Sequence, residues 1–223
     1  IPIFCHLFNK FWSSDQQVTI LGYNHPETYK GFKLPSNFKF DQLNGGDQGT
    51  TRDFSDHMRR YFSQVDDDHF IWGVEDTFIK SPVDFKVLNT FKEICNSSYG
   101  SKVGRVDLTM GMSFRDTSLW KSVDGVDVLI NPQDADSRVT MQISIWNKQY
   151  LLSYLKPNRT PWGFEEIANG EAINDGWDIL GTHREDRLAV VKNEGVLRHD
   201  IYALNLEGMD SETLKEVQKL KTW

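Results

Sequence analysis

The stretch His69–Thr77, His-Phe-Ile-Trp-Gly-Val-Glu-Asp-Thr, constrains this chain more than any other. A run of apolar and aromatic residues ends abruptly at two adjacent carboxylates, Glu75 and Asp76. Phe70, Ile71, Trp72 and Val74 favour a pleated, buried strand over a helix or a turn. In an α/β sheet such a strand delivers its C-terminal end to the crevice where ligands bind. Two carboxylates there suit a divalent cation and, through it, a phosphate. The same residues also describe a strand closed by a solvated acidic turn, so the decision falls to the rest of the chain.

Its elements are read from periodicity. Ile3, Phe4, Leu7, Phe8 and Phe11 recur at helical spacing, so the chain opens inside a helix. Val18–Tyr23 and Phe38–Phe40 read as strands, separated by a polar loop with Pro26 and Pro35. Leu43–Thr51 is a Gly-rich loop that lacks the Lys and the spacing of a phosphate-binding P-loop. Thr51 or Asp53 caps a helix that buries Phe54, Met58, Tyr61, Phe62 and Val65. Pro82 opens another, with Val83, Val87, Leu88, Phe91 and Ile94 as its apolar stripe. Arg105–Met112, Val126–Ile130 and Val139–Ser144 read as strands, and Ile145–Leu155 as a helix ended by Pro157 and Pro161. A helix over Phe164–Ile173, short strands at Ile179–Gly181 and Leu188–Val191, and a closing helix over Asp210–Lys221 complete the order. Strands alternating with helices predict an α/β fold with a mostly parallel central sheet flanked by helices. No linker or repeat marks a boundary, so residues 1–223 read as a single domain.

Composition narrows the function classes. Lys and Arg total 25 against 32 Asp and Glu, a net charge of −7, which argues against a nucleic-acid binder with its basic face. No run approaches the roughly 18 apolar residues of a membrane span, and Ile1–Trp12 lacks the pattern of a signal peptide, so a cytoplasmic location is expected. Cys5 and Cys95 are too few for a disulfide framework or a zinc site. No nucleophile elbow, metalloprotease helix or dinucleotide fingerprint is present.

The candidates for chemistry are acidic and aromatic. Besides Glu75-Asp76 there is Asp134-Ala135-Asp136, in a polar context that reads as a solvated loop, and Asp66-Asp67-Asp68, a charged turn. Pro161-Trp162-Gly163-Phe164-Glu165-Glu166 puts carboxylates in a first helical turn beside aromatics. That placement suits a general base, and also suits the helix dipole alone. His199 is a late histidine that reads as a surface residue or a metal ligand. Trp120, Trp146 and Trp162 fit a core, and an exposed one among them would offer a stacking face for a sugar.

In this order the pieces resemble the GT-A class of nucleotide-sugar glycosyltransferases, most nearly the small enzymes of bacterial polysaccharide loci and large DNA viruses. The resemblance is carried by Leu7–Trp12, Thr19–Tyr23, Phe70–Asp76, Met141–Lys148 and Pro161–Glu165, and it covers most of the chain up to about Glu166. It implies a Rossmann-related GT-A domain, a UDP- or GDP-sugar donor, a glycan acceptor, and Mn²⁺ or Mg²⁺ at Glu75 and Asp76, with His199 as a further ligand. It implies Glu165 as the base of an inverting displacement. The chain departs from the family in reading Glu-Asp-Thr where the family has Asp-x-Asp, and in opening at the helix after the family's first strand. A metal-dependent phosphoester hydrolase and a non-catalytic glycan-binding domain are the alternative readings of the same residues.

Overall fold

The computed structural model describes residues 1–26, 32–74, 77–79, 81–109, 116–182, 190–192 and 209–220. The fold is α/β and divides into two compact units. One comprises Ile1–Gly46, Val74–Val83 and Leu188–Trp223, the other Asp47–Gly73 and Asp84–Arg187.

In the first unit, helix α1 (Pro2–Phe11) buries Leu7, Phe8 and Phe11 of the predicted stripe together with Cys5, and leaves Ile3 and Phe4 half-buried. Phe8 stacks on Trp12 at 5.3 Å between ring centroids and meets Phe38 edge-on at 5.7 Å. Phe38 begins strand β2 (Phe38–Gln42), which pairs in parallel with β1 (Val18–Gly22). The Asn9 and Asn37 side chains exchange hydrogen bonds of 3.2 and 2.8 Å, fixing the helix to the start of that strand. Strands β4 (Thr77–Ile79) and β10 (Val190–Lys192) form a separate antiparallel pair. Helix α6 (Ser211–Leu220) is capped by Asp210, whose Oδ1 accepts from the Glu212 and Thr213 amides. Glu216 of α6 holds α1 through Lys10 at 2.7 Å and His6 at 3.1 Å.

The second unit is built on a six-stranded sheet ordered β3-β8-β5-β9-β7-β6. Its strands are β3 (His69–Trp72), β5 (Val103–Asp107), β6 (Ser118–Val123), β7 (Val126–Ile130), β8 (Ser144–Asn147) and β9 (Asp178–Gly181). The expectation of a mostly parallel sheet is corrected here: β5–β9 pairs in parallel, and the other four neighbour pairs are antiparallel. Two local causes account for this. Asp124 and Gly125 take φ of 50° and 75°, closing β6 onto β7 as a two-residue hairpin, and such a turn joins only antiparallel strands. Strand β8 inserts between β3 and β5 against the direction of both.

Caps set the helix boundaries more sharply than periodicity does. Helix α2 (Phe54–Phe62) follows a 3₁₀ turn in which Thr50 donates to Asp53 from both its amide and its hydroxyl. Helix α3 (Phe85–Asn96) starts after Asp84, not at Pro82, because the Asp84 carboxylate accepts from the Lys86 and Val87 amides. The Asn147 side chain caps α4 (Lys148–Tyr154) through the Gln149 and Tyr150 amides, so Ile145–Asn147 is strand rather than helix. Thr160 caps α5 (Pro161–Glu171), with Pro161 at its first position rather than after the end of the previous helix. Among the described residues no helix is long and apolar enough to cross a membrane.

Candidate functional site

Strands β3, β5 and β9 run in one direction and β8 runs against them, so Trp72, Asp107 and Gly181 end at the sheet edge where Ser144 begins. The segment 137–144 approaches this edge. The alternation of Val139–Ser144 predicts a strand, but only Ser144 is strand, as the first residue of β8, and several polar groups before it are bound to side chains instead. The Val139 amide donates to Asn169 Oδ1 at 2.8 Å. The Thr140 hydroxyl and the Met141 amide both donate to Glu165 Oε1, at 2.9 and 2.5 Å. The carbonyls of Arg138 and Ser137 accept from the Arg105 guanidinium at 3.1 and 3.3 Å. With these groups engaged in this way, residues 137–143 hold a fixed non-strand path up to the start of β8.

Glu165 and Asn169, one turn apart on α5, thus grip this segment from one side. Arg105, which pairs with Asp107, holds it through the Arg138 and Ser137 carbonyls. Arg105 and Asp107 lie on β5, all five residues of which are buried, and both side chains are fully buried. Arg105 donates to Ser144 Oγ at 2.8 Å and pairs with Asp107 at 3.4 Å. Asp107 Oδ1 accepts from the Thr109 amide at 2.8 Å and lies 2.6 Å from the Thr109 hydroxyl, which is also 2.9 Å from Gln142 Oε1. The Gln142 amide reaches Thr140 Oγ1 at 3.4 Å. A continuous chain of polar contacts therefore joins Glu165 to the interior of the sheet. Gly73, the residue after β3, is part of the same closeness, since a Cβ there would come within 2.8 Å of Ile143 Cα.

A second buried ion pair braces the start of the segment. Arg138 pairs with Asp175 at 2.7 Å and donates to the carbonyls of Ala172, Pro132 and Trp177. The Tyr154 hydroxyl donates to the other Asp175 oxygen at 2.7 Å, and burial together with that carboxylate pushes the phenol well above its ordinary pKa. Burial does the same to Tyr150, whose hydroxyl approaches the Arg138 carbonyl. At the far side of the sheet Tyr99 donates to Asp178 and stacks on Trp120, and burial and the carboxylate push its phenol up to about 12.

Of the residues singled out in the sequence, Glu165 stands in this network, half-buried; because α5 starts at Pro161, Glu165 and Glu166 lie in its second turn and not, as expected, in the first. Glu75, Asp76 and His199 lie outside the described residues. Among the described residues no group of three His, Cys, Asp or Glu side chains is arranged to hold a metal ion. Asp134 and Asp136 are exposed on the loop after β7, and Asp66, Asp67 and Asp68 are exposed before β3. Trp146 is core at 0 % exposure, Trp120 is half-buried, and Trp162 is 61 % exposed. Sequence reasoning passed over Arg105, Asp107, Arg138 and Asp175. A signal was present for the first pair: opposite charges two residues apart share one face of a strand otherwise made of Val103, Gly104 and Val106.

Comparison with known proteins returns no match to a family model, a curated protein or a solved structure.

Proposed function

We propose that the chain is a glycosyltransferase that moves a sugar from a nucleoside-diphosphate donor, UDP- or GDP-linked, to a hydroxyl of a glycan. The observation that carries the reading is the anchoring of Glu165. Thr140 and Met141 occupy its Oε1, and neither of them engages Oε2. A carboxylate held in this way is oriented before any substrate arrives, which is what a general base requires. In the proposed reaction the acceptor oxygen attacks the anomeric carbon while Glu165 takes its proton. The bond from that carbon to the phosphate oxygen breaks, and the diphosphate departs with the electron pair. The centre passes through an oxocarbenium-like state and inverts. Glu75 and Asp76, which follow β3 in the chain, and His199 are the residues that would hold Mn²⁺ or Mg²⁺, whose charge offsets that of the departing diphosphate. The resemblance in motif order supports the donor class, and the common edge of β3, β5 and β9 supports the placement of the site.

The test joins binding to turnover. Thermal unfolding is followed with UDP, GDP, dTDP and CMP, each with Mn²⁺ and with chelator. One nucleotide should raise the midpoint only with metal, because a ligand of the folded state stabilises it by mass action. The sugars of that nucleotide are then offered to wild type and to Glu165→Gln. The variant should bind the donor as wild type does and lose transfer by a factor of about 10² to 10⁴. No shift with any nucleotide, or undiminished transfer by Glu165→Gln, overturns the proposal.

A further inference from the structure

Resting on the reading above and extending it to the acceptor, we propose that Trp162 is a stacking platform for a pyranose ring, with Glu165 and Glu166 at its rim as hydroxyl acceptors. The first turn of α5 is fixed: Thr160 Oγ1 accepts from the Gly163 amide at 2.9 Å, and Pro161 presets the backbone beside Trp162. Phe164 and Ala168, both fully buried, turn one face of the helix inward. Trp162 lies about 160° from Phe164 around the helix axis, and the residue is 61 % exposed. By the same geometry Glu165 lies about 60° of arc from Trp162 and Glu166 about 40°, one turn further along. Among the described tryptophans Trp12 and Trp146 are buried and Trp72, Trp120 and Trp177 half-buried, so Trp162 alone of these is exposed.

The chemistry of this patch selects the ligand. An indole face takes the C–H face of a sugar, and its flat ring is presented at small entropic cost. A ring-bound sugar turns its hydroxyls outward, where carboxylates accept them. Glu165 is anchored through Oε1 and is therefore held at the rim. A protein partner fits less well, since the centres of protein interfaces are depleted in glutamate, and here two glutamates border the aromatic. An anionic ligand is opposed by both carboxylates and by the net charge of −7. The class that remains is a neutral saccharide.

The experiment uses the full chain and the methyl glycosides of glucose, galactose, mannose and N-acetylglucosamine. Indole N–H resonances are followed by NMR, with Trp162 assigned from Trp162→Phe, and transfer is measured with the donor found above. At least one glycoside should shift the Trp162 resonance in the absence of nucleotide. Trp162→Ala should weaken that binding at least about tenfold, Trp162→Phe by less, and the unfolding midpoint should stay near that of wild type. Where transfer is measurable, Trp162→Ala should raise the acceptor KM and leave donor binding unchanged. Absence of any shift at Trp162, or equal sugar binding by Trp162→Ala, overturns this inference even if transfer is found. Sugar binding at Trp162 with no nucleotide binding upholds it and overturns the transferase reading, leaving a glycan-binding domain.

Discussion

Asp175 illustrates what single residues contribute here. Its two oxygens serve Arg138 and Tyr154, and the Arg138 side chain it neutralises is fully buried. Removing one partner of such a pair leaves an uncompensated charge in the interior. Asp175→Ala is expected to cost about 3–5 kcal/mol, read as a fall in the urea midpoint at unchanged slope. Lys39→Ala breaks a pair whose lysine side chain is 66 % exposed, and is expected to change stability by less than about 1 kcal/mol. A loss of similar size from both would show that burial does not govern these pairs. At this scale the sequence singled out Glu165 but set it in a first helical turn, whereas α5 starts at Pro161 and carries Glu165 in its second turn. It was silent about what anchors Glu165. Thr140 and Met141 are twenty-five and twenty-four residues away in the chain, and their alternating context advertised a strand.

The elements follow their periodic signals where one face is apolar, and their caps where a polar side chain competes. Helix α1 was legible from five apolar residues. The start of β8 was not, because Ser144–Asn147 reads equally as the first turn of the helix that Asn147 caps. Hairpin β6–β7 was missed although Asp124-Gly125 is a strong turn dipeptide, since β6 itself is largely exposed and carries little apolar pattern. The contact of α6 with α1 leads to a prediction about pH. The hydrogen bond from Lys10, then that from His6, holds the Glu216 carboxyl below its ordinary value of 4.5. A carboxyl whose folded pKa is depressed stabilises its partner contact above the unfolded value, and that contribution is lost as pH falls through the folded one. Protection of the α6 amides, taken against their intrinsic exchange at each pH, should therefore fall as the pH drops below 4.5, and Glu216→Gln should remove that acid dependence. An equal fall in the variant would place the acid sensitivity elsewhere.

At the scale of the whole molecule the class was legible and the connectivity was not. Alternation of strand and helix announces α/β, but it does not say which strands become neighbours. The parallel order assumed for the sheet fails where β8 slips between β3 and β5, a pairing set by the path of segment 137–144. That path depends on buried contacts to Arg105 and Glu165, which no local pattern encodes. The division into two units was equally hidden, because the chain crosses between them without a change of composition. One unit comprises Ile1–Gly46, Val74–Val83 and Leu188–Trp223, and the other is interleaved with it along the sequence. This interleaving has a consequence for biosynthesis. Every residue of the second unit leaves the ribosome before the last piece of the first, so the second unit is free to close while the first still waits for α6. Chains stalled soon after Arg187 has emerged should already protect β5 and β8 from protease while α1 remains open to cleavage. Helix α1, made before the whole of the second unit, would then become native after it.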